Sequence, residues 1–576
     1  MNPAQLLTHF DRLSDAPDVI PRLRRFILDL AVRGKLVEQD PRDEPASELL
    51  KRIDTEKALL VKQGKIRKQE LVEDADESDT PFELPAGWLW SRLGNIGDWG
   101  SGSTPPRGNS EYYGGETTWL KSGELGDCLA LKGSEERVTA VALRKCSFRL
   151  NQPGDVLIAM YGATIGKLAI LAEPAVTNQA VCGCTPFAGI LNRYLFTYLL
   201  SRRAEFHAQS EGGAQPNISK VKILQSPFPL PPFAEQHRIV AKVDELMVLC
   251  DGLEAAQVER ESRRDRLVAS SLNRLNNGAD PDAFRNHARF YFNRLPRLTT
   301  GHEHVKKLRG TILNLAFRGW LTSPWREAAE FVGTAQEFRL SVENARKKAW
   351  DNKQVAGSSR KYPSPIEFDR ENLPTIPDSW VWASADAVCS QITDGEHIQP
   401  RYQPEGLPML TAKHVRDGFV TFEDSELISE TDFKKCVARC KPEEGDILVV
   451  SVGATTGRAA IVSQSRPFAL VRSVLLLKPL ISPAYFLRWL QSPWCFVWMR
   501  QASEASAQPH LYIGDTRRMP VPLPPLAEQE RIVAKVDELM ALCEKLEVQL
   551  TTTQTESRRL LEAVLHEALE EEPLGV

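Results

Sequence analysis

The chain lacks any apolar run approaching the roughly 18 residues that a membrane helix requires. Its first residues, MNPAQLLTHFDRLSDAPD, lack the basic and apolar regions of a secretory signal, so a cytoplasmic protein is expected. Cysteine is sparse and scattered, with 10 in 576 residues. Cys182 and Cys184 form one close pair and Cys436 and Cys440 another. Neither pair is joined by a second Cys/His pair at zinc-ligand spacing, so buried thiols are expected and no metal site. Excess positive charge is also missing. A formal net charge of −4 argues against a uniformly basic DNA-coating protein. It leaves sequence-specific binding open, because local clefts set the field a ligand meets.

Catalytic motifs are scarce as well. Gly162–Lys167 reads GATIGK, which falls short of a phosphate loop. Only three residues separate its glycines, and Leu168 occupies the magnesium-binding Ser/Thr position. A strand followed by a turn is the expected structure there and at the related GATTGR of the second half. No G-x-G-x-x-G follows a strand, and no acidic-Pro-Pro-aromatic methyltransferase signature is found.

What is present is a chain written twice. Residues 229–250 read PLPPFAEQHRIVAKVDELMVLC and 522–543 read PLPPLAEQERIVAKVDELMALC, differing at three of 22 positions with an offset of 293. Weaker echoes keep nearly that offset. LRRFILDLAVRGKL from Leu23 matches LRGTILNLAFRGWL from Leu308. LPAGWLW from Leu84 matches IPDSWVW from Ile376, and GDVLIAMYGATIGKLAI from Gly154 matches GDILVVSVGATTGRAAI from Gly445. Two copies are too few for a solenoid and predict a duplicated domain pair related by a pseudo-two-fold axis.

The texture along the chain predicts an α/β (α+β) protein. An N-terminal helical region spans 1–80, with an acidic loop at VEDADESD before Thr80. A globular block follows at 81–228, with short apolar runs such as Val156–Met160 punctuated by Gly, Pro, Asn and Ser. A long central helix is expected at 229–277 and a linker with a second helical lead-in at 278–373. The second block covers 374–521, and a second long helix covers 522–576. Within 284–320 the chain is basic: Arg285, Arg289, Arg294, Arg297, Lys306, Lys307, Arg309 and Arg318 stand against Glu303 alone. This stretch is either a solvated linker or a phosphate-contacting strip.

Apolar residues in the long helices recur with spacing 4, 3, 4, 3. They are Ile239, Val243, Leu246, Cys250 and Leu253 in the first, and Ile532, Val536, Leu539, Cys543 and Leu546 in the second, continuing to Leu550. The stripe fits a helix lying on its own block. Its duplication favours helix-on-helix packing, and two helices related by an internal two-fold axis would run antiparallel. From Glu235 to Leu275 is 41 residues, or roughly 60 Å of helix. Such a pair would act as a ruler between the two blocks.

Together these features resemble the specificity subunits of type I restriction-modification systems. The resemblance covers nearly the whole chain. It rests on the PLPPxAEQxRIVxKVxEL segments at Pro229 and Pro522, GSTPPR at Gly102–Arg107, WLKSGEL at Trp119–Leu125 and TDGEHIQP at Thr393–Pro400. It implies a non-catalytic subunit with two target-recognition domains, each reading half of a split DNA sequence. It further implies docking of two methyltransferase subunits and association with translocase/restriction subunits. No cofactor is expected on this chain. S-adenosylmethionine, ATP and magnesium are expected on those partners. The alternatives are a standalone DNA methyltransferase or nuclease with degenerate motifs, and a purely structural coiled-coil scaffold.

Base reading calls for paired donors and acceptors, and phosphate gripping calls for hydroxyls and Gly-rich turns. In the first block the candidates are Ser101, Ser103, Thr104, Arg107, Lys121, Ser122, Tyr161, Thr164, Asn178, Gln179 and Asn217. In the second they are Thr393, Asp394, His397, Arg401, Lys413, His414, Arg416, Thr455, Arg472, Gln508 and His510.

Overall fold

A computed structural model describes residues 16, 18–66, 80–210, 216–277, 280–328, 334–352, 362–397, 400–463, 466–504 and 509–570. The expected acidic loop before Thr80 and the candidate Gln508 lie outside the described residues. Among the described residues no helix is long and apolar enough to cross a membrane. The chain divides into two units, Met1–Arg260 with Gln554–Val576, and Glu261–Thr553. It is a mixed α/β protein, as the sequence predicts.

The first half opens with α1 (Val19–Val32) and α2 (Ala46–Lys62). Ten strands follow among the described residues: β1 (Leu89–Arg92), β2 (Gly97–Ser101), β3 (Tyr113–Leu120), β4 (Cys128–Leu131), β5 (Arg137–Val138), β6 (Val156–Ala159), β7 (Leu168–Leu171), β8 (Ala175–Thr177), β9 (Val181–Pro186) and β10 (Pro227–Leu230). Helix α3 (Asn192–Ser201) precedes β10, and the long α4 (Phe233–Asn276) follows it. The strands make a five-stranded sheet ordered β2-β9-β6-β7-β4, a three-stranded sheet β5-β3-β8 and a ribbon β1-β10.

The second half repeats the plan. Helices α5 (Pro281–Asn293), α6 (Leu295–Leu298), α7 (His302–Phe317) and α8 (Ala335–Asp351) lead in. The strands are β11 (Val381–Ser384), β12 (Cys389–Asp394), β13 (Tyr402–Gln403), β14 (Leu407–Leu410), β15 (Glu426–Ile428), β16 (Ile447–Val450), β17 (Ala459–Ile461), β18 (Ala469–Leu470), β19 (Val474–Pro479) and β20 (Pro520–Leu523). They pair as β12-β19-β16-β17, β13-β15-β14-β18 and β11-β20. Helix α9 (Pro483–Leu490) corresponds to α3, and α10 (Leu526–Glu570) ends the chain.

The echoes seen in sequence are packing equivalences. In the ribbons, Leu89 pairs with Leu230 and Val381 with Leu523. The prolines of PFPL and PVPL lie within the ribbon strands, where their carbonyls accept side-chain donors. Tyr194 donates to Pro229 O at 2.9 Å, and Tyr485 donates to Pro522 O at 2.7 Å. The glycine of each RG pair takes a left-handed conformation, with φ +70° at Gly34 and +73° at Gly319. A Cβ there would lie 2.3 Å from Pro85 and 2.4 Å from Pro377 respectively. Only glycine satisfies both the backbone and the close approach. Each AEQ begins a long helix with two buried side chains. Glu235 and Gln236 are 1% and 0% exposed, and so are Glu528 and Gln529.

The heptad stripe divides along its length. Ile239, Val243 and Cys250 are buried in one core with residues of α1, α2, α3 and the sheet of the first block, and Leu246 packs on its edge. Leu561, Val564 and Leu565 of α10 belong to that core too. Ile532 and Val536 are buried in the core of the second block. Cys543 instead joins Val268, Leu272 and Leu275 of α4 and Val305, Leu308 and Ile312 of α7, with Leu539 and Leu550 packed alongside. The single helix-facing seam drawn from sequence is therefore corrected. Its early positions cover each helix's own block and its later ones meet other helices. Leu253 is 41% exposed and belongs to neither, and Leu546 is half-buried. Spacing alone does not register where a helix leaves the block beneath it.

Candidate nucleic-acid interface

In the first block four chain segments lie side by side at one end of the sheets. Strand β2 ends at Ser101, opposite Cys182 of β9. Gly102 N then donates to Val181 O at 3.1 Å, and Ser103 N to Thr177 O at 2.8 Å. A Cβ on Gly102 would lie 2.0 Å from Thr177 O, so this approach requires glycine. Thr104 hydrogen-bonds Gln179 through its hydroxyl. Beyond the segment around 178–181, Met160 N donates to Ala180 O at 2.8 Å. Ile218 N donates to Met160 O at 2.9 Å, and Tyr161 faces Asn217 in an isolated bridge. Thr164 closes the turn by donating to Tyr161 O at 2.8 Å. The GATIGK segment is thus a strand–turn–strand, with no helix after it to cradle a phosphate.

Candidates Ser101, Ser103, Thr104, Tyr161, Thr164, Asn178, Gln179 and Asn217 come together along this end. Lys121 joins them, since Asn178 N donates to the adjacent Leu120 O at 2.9 Å. Ser122 begins the short turn after Lys121. Arg107 and Lys121 are tied to one carboxylate. They contact Glu136 at 2.7 and 2.5 Å, and hydrogen bonds from Arg107 and then Lys121 hold its pKa below the usual value. Arg107 also stands 5.1 Å from the Tyr113 and Trp119 rings.

The second block builds the same edge from different side chains. Gly395 N donates to Val474 O at 3.2 Å and Glu396 N to Leu470 O at 2.7 Å. A Cβ on Gly395 would lie 2.2 Å from Leu470 O. Arg472 N donates to Glu396 O at 3.0 Å, and Ser451 N to Ser473 O at 2.9 Å. Leu511 N donates to Ser451 O at 2.8 Å, and Val452 faces His510. Ser103 therefore corresponds to Glu396, Gln179 to Arg472, Tyr161 to Val452 and Asn217 to His510. His510 stacks on Tyr512 with centroids 4.1 Å apart.

Thr393, the last residue but one of β12, is 8% exposed. Asp394 holds His397 at 2.8 Å and also Arg439. Arg401 and Arg416 are exposed, Lys413 donates to Asp424 O at 2.9 Å, and Thr455 lies in the turn after β16. His414 is 1% exposed and faces inward. Its Nδ1 accepts from Thr411 N at 2.9 Å. Glu124 does the same in the first block, accepting from Lys121 N at 2.7 Å. Burial, followed by the charge of Lys413, lowers the His414 pKa.

Sequence reasoning missed Glu396, which the offset of 293 could have located by projection from Ser103, and Tyr512, for which no candidate of the first block gave a signal. The cysteine pairs hold ordinary buried thiols. Cys182 and Cys184 lie in β9, and burial raises the pKa of Cys182 to about 11. Cys436 and Cys440 belong to separate apolar clusters.

The sequence model of the type I restriction modification DNA specificity domain matches residues 85–260 and 399–553. The chain belongs to this family. The type I restriction enzyme EcoAI specificity subunit of Escherichia coli is 30% identical, over 96% of this chain and 94% of its own length. The Escherichia coli EcoEI specificity subunit is 27% identical over the same shares. The Escherichia coli EcoBI specificity subunit is 24% identical over 72% of this chain and 73% of its own. Both copies of the family's domain include a PLPP segment and the start of a long helix.

Proposed function

We propose that this chain is the DNA-recognition subunit of a type I restriction-modification complex. Its two blocks read the two halves of a split target, and it contributes no catalytic centre. The observation that carries this reading is the shared edge: one hydrogen-bonded frame presents Ser103, Tyr161, Gln179 and Asn217 in one block, and Glu396, Val452, Arg472 and His510 in the other. One frame with different side chains is what two unlike half-sites require, because base edges are told apart by donor and acceptor pattern.

The long helices act in this reading as an antiparallel coiled coil that recruits two methyltransferase subunits, and translocase/restriction subunits complete the complex. The start of α4 shares a core with the end of α10, and the end of α4 shares one with the middle of α10, which is the pattern antiparallel pairing gives. Matching grooves support two equivalent docking places. One is lined by Arg22, Phe26, Leu565 and His566, the other by Lys307, Thr311, Leu272 and Asn273. S-adenosylmethionine, ATP and magnesium belong to the partner subunits.

The test is a block exchange. Residues 374–521 are replaced by the corresponding block of a relative, and the methylome of a host carrying the complete system is sequenced. One half of the methylated sequence should change and the other should stay. Change in both halves, or in neither, would overturn independent reading. Binding of S-adenosylmethionine by the purified chain would favour a standalone methyltransferase.

A further inference from the structure

The first part of the basic stretch, which the recognition edges do not use, folds as α5 and α6. The inward side of α5 carries Phe284, Ala288 and Tyr291, which with Leu295 pack into the cluster built around Val268, Leu272 and Val305. Phe284 also stacks on Trp320, with centroids 5.1 Å apart. The packing of this hairpin is thus complete without its outer face.

That outer face is cationic and aromatic. Arg285, Arg289, Arg294 and Arg297 are all exposed, with Phe290 at 38% and Phe292 at 51% between them. Arg285 pairs with Asp282 at 2.6 Å, both ends well exposed. Among the described residues Arg289 and Arg297 form no ion pair. Arg294 lies 4.3 Å over the Phe290 ring, which orients its guanidinium and strips part of its water. A face kept for solubility alone has no use for exposed phenyl rings or for four cations of one kind. Guanidinium forks match phosphate oxygens in pairs, more closely than lysine does.

We propose that the outer face of α5 and α6 grips the phosphate backbone of duplex DNA without regard to sequence, as a third contact beside the two recognition edges. The proposal rests on the DNA-recognition reading above. Charge complementarity selects the occupant, since the duplex carries one negative charge per ~1.7 Å of axis. The strip adds affinity and leaves sequence preference to the blocks, because phosphate contacts position while base contacts specify.

The test uses the full chain, a mixed-sequence duplex several helical turns long, and affinity measured against salt concentration. Arg285, Arg289, Arg294 and Arg297 are replaced together by Gln, and in a second variant by Lys. The Gln variant should bind more weakly, with the slope of log affinity against log salt flattened by roughly 0.9 for each phosphate that is no longer neutralised. The Lys variant should keep most of the slope, and both should melt as the parent does. In the complete system both half-sites should stay unchanged. A parent chain that binds no duplex would overturn the recognition reading itself. A parent that binds and a Gln variant with the parental slope would overturn the strip alone. Parental slope combined with loss of subunit assembly would make the face a protein interface, and the proposal would fall.

Discussion

The indole nitrogen of Trp380 donates to Glu528 Oε2 at 2.8 Å, joining residues 148 positions apart. The same carboxylate receives Thr322 at 2.7 Å and Arg326 at 2.5 Å. Its first-half counterpart is sparer: Trp88 donates to Glu235 at 2.9 Å, and the other carboxylate oxygen of Glu235 is buried without a partner. Each bond ties the first turn of a long helix to the strand entry of its block. Glu528→Ala should cost about 3–5 kcal/mol, because it strands a largely buried guanidinium and two further donors. Chemical denaturation of the full chain checks this, and a loss near that of an exposed substitution would refute it.

Glu235 should behave differently with pH. Burial raises its pKa, against the opposing bond from Trp88. A carboxyl raised in the fold binds its proton more tightly there than in the unfolded chain. Its contribution to stability is present at acid pH and lost as pH rises through the folded value. Glu235→Gln keeps an acceptor for Trp88 and removes that loss. The melting temperature of the variant relative to the parent should therefore climb from pH 4 to pH 7. A constant difference would rule out the buried carboxylate as its source.

His414 has the opposite sign. Its pKa is lowered by burial, so the unfolded chain takes up the proton first. The stability this imidazole lends is complete above the ordinary histidine value and falls as pH drops below it. His414→Gln retains an acceptor for Thr411 N and cannot ionise. Thermal melts between pH 5 and 7 should show a flatter pH dependence in the variant, and equal slopes would exclude His414.

The duplicated frame was legible because a near-identical segment at offset 293 fixes which positions must fold alike. The long helices, the strand–turn at GATIGK and the two mixed blocks follow from local pattern. The buried Glu235 and Glu528 were not legible: near a helix start a glutamate reads as a charge favouring the helix dipole, and the Trp partners lie far away in sequence. His414 reads as a base-contacting imidazole because nothing local signals that it closes a turn, as Glu124 does. Arg107 and Lys121 were legible as cations, but their shared Glu136 depends on a strand pairing that the sequence does not announce.

The long helices offer a separable test of partner docking. Lys242 pairs with Glu245, and Lys535 with Glu538, at equivalent surface positions. Lys242→Glu with Lys535→Glu should leave melting nearly unchanged, since exposed pairs contribute about 0–1 kcal/mol. Sedimentation with methyltransferase subunits should show weakened assembly. Leu539→Asp should instead destabilise the fold by roughly 1–3 kcal/mol, by placing a carboxylate against an apolar cluster. Full assembly by the double lysine variant would exclude this face of the long helices and leave docking to the grooves beside Arg22 and Lys307.

Tyr161 and His510 provide the sharpest test of the recognition edges. Each lies on the same bridged pair of segments, Tyr161 opposite Asn217 and His510 opposite Val452, but on opposite partners of the pair. Tyr161 is 41% exposed, and His510 is held by its stack on Tyr512. Neither supports a core, so truncation should leave folding intact. If each touches a base edge, its loss should weaken binding by about 1–3 kcal/mol and relax discrimination at one position. Tyr161→Ala should broaden only the half-site read by the first block, and His510→Ala only the other. Methylome sequencing of hosts carrying each variant in the complete system shows which half has relaxed. Uniform weakening with both half-sites intact would mean that these side chains hold phosphates, and relaxation of the same half by both variants would contradict the assignment of one half-site to each block.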